Sequence, residues 1–311
     1  PEKMLYNELV HAWDIRIAYH DRVGDDLPCT IRCNFGCVVI ASLFGGRIEQ
    51  VEENPPWIRP FDTLAEFKRA LDRDPLGSSR RRTRCNQVMY QFYRQVLSNY
   101  PKLQELIKLV LPDLQGPIDT AELLRGSALY MDFYDNPDLV SQAMSVIATA
   151  QVGFARYLVP YLSEGLEGFS HQHGFMICGN ILIRDDSSIM ISPETYREQV
   201  APHDEFVLRE LGGGGIHCCG RFDHAVEEFL ALPSIRCLDL GDPQMNDLDT
   251  IYATTRERRI PLIRIQVDEE ELTSGRVMER FPTGVSMLHA ADSFKDACRI
   301  MTAYKQATEG R

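Results

Sequence analysis

The chain has 311 residues and a mass of 35.4 kDa, with 44% hydrophobic and 25% charged residues, an ordinary globular composition that allows a single α/β barrel. Its formal net charge is −12 and its pI about 5.2, which argues against a phosphate-binding surface for nucleic acid. No run of 18 or more apolar residues is present, so no membrane-spanning helix is expected. Nine cysteines, an odd count, lie partly inside apolar runs; with no secretion signal, a reducing, cytoplasmic protein is expected. The chain begins at Pro1 without an initiator Met, and an N-terminal segment is expected to have been trimmed or left out.

In chain order, the first strand is expected over 30–33. The segment Cys29-x3-Cys33-x3-Cys37 overlaps it, and the β-branched neighbours favour strand and turn over a metal cluster. Thr63-Leu64-Ala65-Glu66 is a capping box that opens a helix. The run Arg80-Arg81-Arg82 with Arg84 follows Gly77, Ser78 and Ser79 and reads as a solvated loop leading into a helix over 82–100, stopped by Pro101. Strands are expected over 107–111 and 129–132. Asn136-Pro137 is an N-cap with proline at the first helical position, and Leu139, Val140, Ala143, Met144, Ile147 and Ala148 recur behind it at helical spacing. A strand over 175–177 follows, and Ser192-Pro193-Glu194 repeats the helix-start signal. Further strands over 215–218, 237–240, 262–267 and 285–288 alternate with helices over 223–232, 247–258 and 292–305. Their spacing is that of a parallel βα unit. Eight strands imply a closed (β/α)8 TIM-type barrel spanning 1–311 as one domain. An open doubly wound sheet is less well supported, because Gly212 to Gly215 precede a strand, whereas a dinucleotide fingerprint follows one.

A barrel places its site at the C-terminal ends of the strands. There, His217-x-Cys219 puts an imidazole and a thiol on one side of an extended segment, a half-site for zinc, and Gly220 lets the chain turn around it. Buried cysteines and hydrogen-bonded histidines are common, so the pair alone does not establish a metal. A third ligand could come from Asp242, Asp239, Cys218 or His289. Cys218 could equally point into the barrel wall, and His289 could cap a helix. Asp185 and Asp186 are adjacent acids that could cap a turn, bind a substrate nitrogen or act as general acid. His171 and His173 share one face of an extended segment and suit hydrogen bonding to substrate. Arg32 and Asn34 follow the first strand, where Arg32 could pair with a substrate carboxylate or a barrel acid.

Leu114-Gln115-Gly116-Pro117-Ile118-Asp119 followed by Tyr134-Asp135-Asn136-Pro137, then Ser192-Pro193-Glu194-Thr195-Tyr196, then Ile216-His217-Cys218-Cys219-Gly220, together resemble the uroporphyrinogen decarboxylase and zinc-dependent corrinoid methyltransferase superfamily over roughly 25–308. The resemblance implies one of two activities. The decarboxylase branch uses no cofactor and grips substrate carboxylates with an N-terminal arginine motif. Here only Arg32 matches that motif. The methyltransferase branch binds zinc through His-x-Cys and a distant Cys. His217 and Cys219 match the first two, and near Pro282-Thr283-Gly284, where the third would fall, there is no Cys. The resemblance therefore implies zinc held by His217 and Cys219 and completed by Asp242. It also implies a corrinoid carried by a partner protein, and a small methylated substrate or thiol bound near Arg32, Asn34, His171 and Asp185. His173 or Asp186 would orient the substrate or move a proton. A cofactor-free carboxy-lyase and a non-catalytic barrel are the alternatives, and a homodimer is among the assemblies expected of such relatives.

Overall fold

The computed structural model describes residues 1–13, 20–50, 54–77, 80–172 and 174–309. Their strands are β1 (Thr30–Ile31), β2 (Arg47–Glu49), β3 (Trp57–Arg59), β4 (Lys108–Leu109), β5 (Phe169–Gln172), β6 (Phe175–Cys178), β7 (Ile181–Arg184), β8 (Gly214–Cys218), β9 (Ile235–Leu240), β10 (Leu262–Gln266) and β11 (Val285–Leu288). Strands β7 to β11 form one five-stranded parallel sheet in sequence order. Strands β1 and β4 form a parallel pair, and a single parallel bridge from Gln115 to Arg184 ties the chain after β4 to β7. The hairpins β2–β3 and β5–β6 are antiparallel. The fold is thus mixed α/β with a parallel sheet. Among the described residues no ladder joins β11 to β1, so barrel closure is not recorded.

Helices between the parallel strands cover one face of the sheet. Ile181, Ile183, Ile216, Cys218, Leu238, Leu240, Leu262 and Ile265 alternate onto that face and join the main core. The long helix Pro137–Leu158 is the largest single contributor, burying Val140, Ala143, Met144, Ile147, Ala148, Phe154 and Ala155. Its apolar residues fall at i, i+3, i+4 and i+7, so one stripe of the helix meets the neighbouring helices Pro117–Arg125, Ala128–Asp135 and Ala201–Glu210. The start signals read from the sequence are realised in part. Thr63 Oγ1 accepts from Glu66 N at 3.2 Å, and Ser192 Oγ accepts from Thr195 N at 3.2 Å. Asn136 precedes Pro137, but its side chain bonds Asp132 rather than the helix.

The opposite face carries two layers. The lower is apolar: Leu182, Cys237 and Ile263 meet Ile177 and Phe175 of the β5–β6 hairpin. Gly215 belongs to this layer because a Cβ there would lie 2.5 Å from Cys237 Sγ and 2.9 Å from Leu182 Cδ1. The upper layer is charged. Register pairs Arg184 with His217 and His217 with Asp239, so three polar side chains stand side by side at the C-terminal ends of β7, β8 and β9.

Two expected strands are corrected. Residues 129–132 lie in the helix Ala128–Asp135, where Leu129 and Phe133 are buried one turn apart and Asp132 binds Arg125. A short apolar run fits helix and strand equally by pattern, and here tertiary packing decides. Residues 175–177 form a strand, but an antiparallel one in the hairpin. The parallel strand leading to Asp185 is β7, which the sequence reading passed over.

Candidate active site

His217 ends the charged layer. Its Nδ1 lies 2.9 Å from Asp239 Oδ2, and its Nε2 lies 3.2 Å from Cys219 Sγ and 3.8 Å from Asp186 Oδ1. Asp186 Oδ1 accepts from Cys219 N at 2.6 Å, which locks the loop after β7 against the end of β8. Asp186, His217 and Cys219 offer a carboxylate oxygen, an imidazole nitrogen and a sulfur within 4.8 Å of one another. Gly241 backs this group: a Cβ there would lie 2.6 Å from Cys219 Sγ and 2.9 Å from His217 Cε1.

The electrostatics around the group are uneven. Burial raises the Cys219 thiol to about 12, and the charge and hydrogen bond of Asp186 and the charge of Asp242 reinforce the shift. A free Cys219 is therefore a thiol at neutral pH. For Asp239, burial pushes the carboxyl up, but the hydrogen bond with His217 and the ion pair with Arg264 hold it below its ordinary value. Asp119 opens the helix Pro117–Arg125 and accepts from Asp186 N at 3.1 Å and Ser187 N at 2.7 Å. Burial and the neighbouring charge of Asp186 raise it to about 8.

The remaining residues expected from the sequence are placed as follows. Asp242 Oδ2 accepts from Gly220 N at 2.8 Å and its Oδ1 from Gln244 Nε2 at 3.1 Å, so both oxygens serve the turn beside Cys219. Asp185 points away from the group and is fully buried against Asp204. Asn34 Nδ2 donates to Glu8 of the N-terminal helix at 3.2 Å, and Glu8 also accepts from Arg32 N. His171 sits in the β5–β6 hairpin with its Nδ1 against Glu164. His173 lies outside the described residues. Cys218 is buried in the main core. His289 donates from Nδ1 to Val267 O and lines a cavity of about 600 Å³ at the ends of β10 and β11. None of Asp186, His217 and Cys219 lines that cavity.

Three charged residues of the site were not singled out from sequence. Arg184 Nη1 forms an ion pair with Asp113 Oδ1 at 2.6 Å, and Arg32 Nη1 lies 3.6 Å from Asp113 Oδ2. Two guanidinium groups therefore share one carboxylate beside the charged layer. Arg264 Nε and Nη2 donate to Asp239 at 2.7 and 3.0 Å. A signal existed for both arginines: Arg264 interrupts the apolar strand run Leu-Ile-Arg-Ile, and Arg184 ends the buried run Ile-Leu-Ile, where an unpaired charge is costly.

No protein-family model matches the chain, and no curated protein matches it in sequence. Among solved structures, the chain is similar to a methyltransferase from Methanosarcina mazei, with a TM-score of 0.63 and 13% identity over 93% of this chain and 82% of that one. At that identity the likeness is one of fold. The two chains share an architecture over nearly the whole length of this one.

Proposed function

We propose that the chain is a zinc-assisted methyltransferase, moving a methyl group between a small anionic methylated substrate or thiol and a corrinoid held by a partner protein. The observation that carries this reading is the convergence of Asp186, His217 and Cys219 at the strand ends. Tetrahedral zinc with ligands at about 2.0–2.3 Å sets ligand atoms about 3.3–3.6 Å apart. The spacings from His217 Nε2, 3.2 Å to Cys219 and 3.8 Å to Asp186, bracket that value. Three protein ligands leave a fourth position open, as catalytic sites do. We assign the third ligand to Asp186 and give Asp242 the task of holding the Gly220 turn. Zinc would act as a Lewis acid on a thiol or a methyl-bearing heteroatom. Cys219, a thiol at neutral pH without metal, would bind as thiolate and release its proton. Arg32 and Arg184, sharing Asp113, would pair with an anionic group of the substrate. Asp119 would fix the Asp186 loop, and His173 would orient substrate. The five parallel strands in sequence order support a closed (β/α)8 barrel as the architecture, with the site at its mouth.

Elemental analysis tests the reading. Near-stoichiometric zinc is expected in the wild type, lost in His217→Ala and Cys219→Ala, reduced at least about tenfold in affinity in Asp186→Asn and retained in Asp242→Asn. Metal-free protein with full activity sinks it. The shared Asp113 favours one second reading, a metal-free lyase acting on a carboxylated substrate. In that case Arg32→Ala abolishes activity and Cys219→Ser is tolerated.

A further inference from the structure

Arg264 occupies an unusual place. It lies inside parallel strand β10, yet its φ is +60°, and the register with β11 breaks between Leu262 and Ile265. The other non-glycine residue with positive φ among the described residues, Arg259, caps a helix end, where that conformation is ordinary. For Arg264 the left-handed conformation is strained, because the Cβ crowds the following carbonyl oxygen. A bulge of this kind re-aims a side chain. Here it turns the guanidinium onto the charged layer, where it grips both oxygens of Asp239 and lies 5.7 Å from the Phe175 ring centroid.

The grip bears on His217. Asp239 Oδ2 is 2.9 Å from His217 Nδ1, and Arg264 Nη2 is also 2.9 Å from Nδ1. A neutral imidazole nitrogen is either donor or acceptor, so only one of these contacts can be a hydrogen bond. The fork uses the Nε hydrogen and one Nη2 hydrogen and holds Asp239 Oδ2 2.9 Å from Nδ1, where a lone pair on Nδ1 would face the lone pairs of the carboxyl oxygen. Asp239 is then a fixed acceptor for the proton on Nδ1.

We propose that Arg264 is a positioning residue: through Asp239 it holds the His217 proton on Nδ1, so that the Nε2 lone pair faces Cys219 and Asp186. The metal half of this proposal rests on the zinc reading above; the tautomer half does not. Outer partners that fix a ligating histidine govern metal affinity by about 10- to 100-fold. Arg264→Gly removes the fork while relieving the backbone cost, which separates positioning from a merely structural role. Arg264→Lys keeps the charge without the bidentate geometry.

The test is ¹⁵N NMR of His217 in metal-free wild type, Arg264→Gly and Arg264→Lys, assigned against His217→Gln, with zinc affinity measured by chelator competition. The wild type should carry its proton on Nδ1. Arg264→Gly should lose that single tautomer and bind zinc about 10- to 100-fold more weakly, with Arg264→Lys between. An Nε2–H tautomer in the wild type overturns the proposal. So does a variant pair that keeps the wild-type tautomer and binds zinc within about twofold of it. If the wild type binds no zinc, the metal reading fails and the NMR arm alone decides the role of Arg264. Should Arg264→Gly not fold, Arg264→Lys is judged by the same two readouts.

Discussion

Gly241 shows how one missing side chain shapes the candidate site. It follows β9 and offers bare backbone where His217 and Cys219 need room. An added Cβ would come within 3 Å of the Cys219 sulfur and Cα and of the His217 ring. The sulfur can rotate, but the Cys219 Cα belongs to backbone pinned by Asp186 at 2.6 Å. We therefore expect Gly241→Ala to reduce zinc affinity by at least about tenfold while altering no candidate ligand. Its overpacking cost should be about 1–3 kcal/mol. Metal analysis together with a urea melt checks both. A variant that binds zinc like the wild type would mean the group has slack, and the narrow spacing of the three donors would then say little about a metal.

At the scale of elements, the parallel half was legible and the hairpin was not. Strands β8 to β11 are each an apolar run ended by polar residues and followed by a helix, so spacing alone finds them. His217 and Cys219 were found because their strand was. Strand β7 was missed because it follows β6 after only two residues, Gly179 and Asn180, and all four of its residues are buried. The two strands read together as one apolar stretch. Asp186 could be seen as a candidate acid, but nothing local places its carboxylate beside Cys219; that needs the pairing of β7 with β8. Arg264 and Asp113 are likewise brought to the site only by register between strands far apart in sequence. The corner between β6 and β7 depends on Gly179, whose φ is +96° and whose absent Cβ would lie 2.5 Å from Gly214 Cα and 2.6 Å from Gly213 O. These are backbone atoms and cannot turn aside. Gly179→Ala should lower the free energy of unfolding by about 1–3 kcal/mol or more, read from the midpoint of urea denaturation. An unchanged midpoint would show that this corner can relax.

For the whole molecule, the buried acids make stability depend on pH in an unusual direction. Asp119, Asp185 and Asp204 are all buried, and burial raises each carboxyl, Asp119 to about 8 and Asp204 to about 7. Asp204 Oδ2 accepts from Tyr196 Oη at 2.7 Å, while Asp204 Oδ1 and both oxygens of Asp185 have no other donor. Asp185 is raised further by the neighbouring charge of Asp204, so the two buried carboxyls hold protons side by side in the fold. Above about pH 5 the unfolded chain has released these protons, and the folded chain still holds them. The native state then binds more protons than the unfolded state, so stability falls as pH rises towards 8. His203, whose burial lowers its pKa, pulls the other way near pH 6.5, but it is one group against three. Asp239 and the surface acids with lowered values have finished titrating below this window. The free energy of unfolding of chelator-treated protein should therefore drop steadily between pH 5.5 and 8, by on the order of 1 kcal/mol per pH unit for each extra proton held, and the melting temperature should fall with it. Asp204→Asn still accepts from Tyr196 and can donate to Asp185 without a titrating proton of its own. It should flatten the slope and close most of its deficit against the wild type at pH 8. A wild-type melting temperature that rises across the same range, or a variant with an undiminished slope, would place the proton elsewhere than between helix Ala201–Glu210 and the loop that carries Asp186.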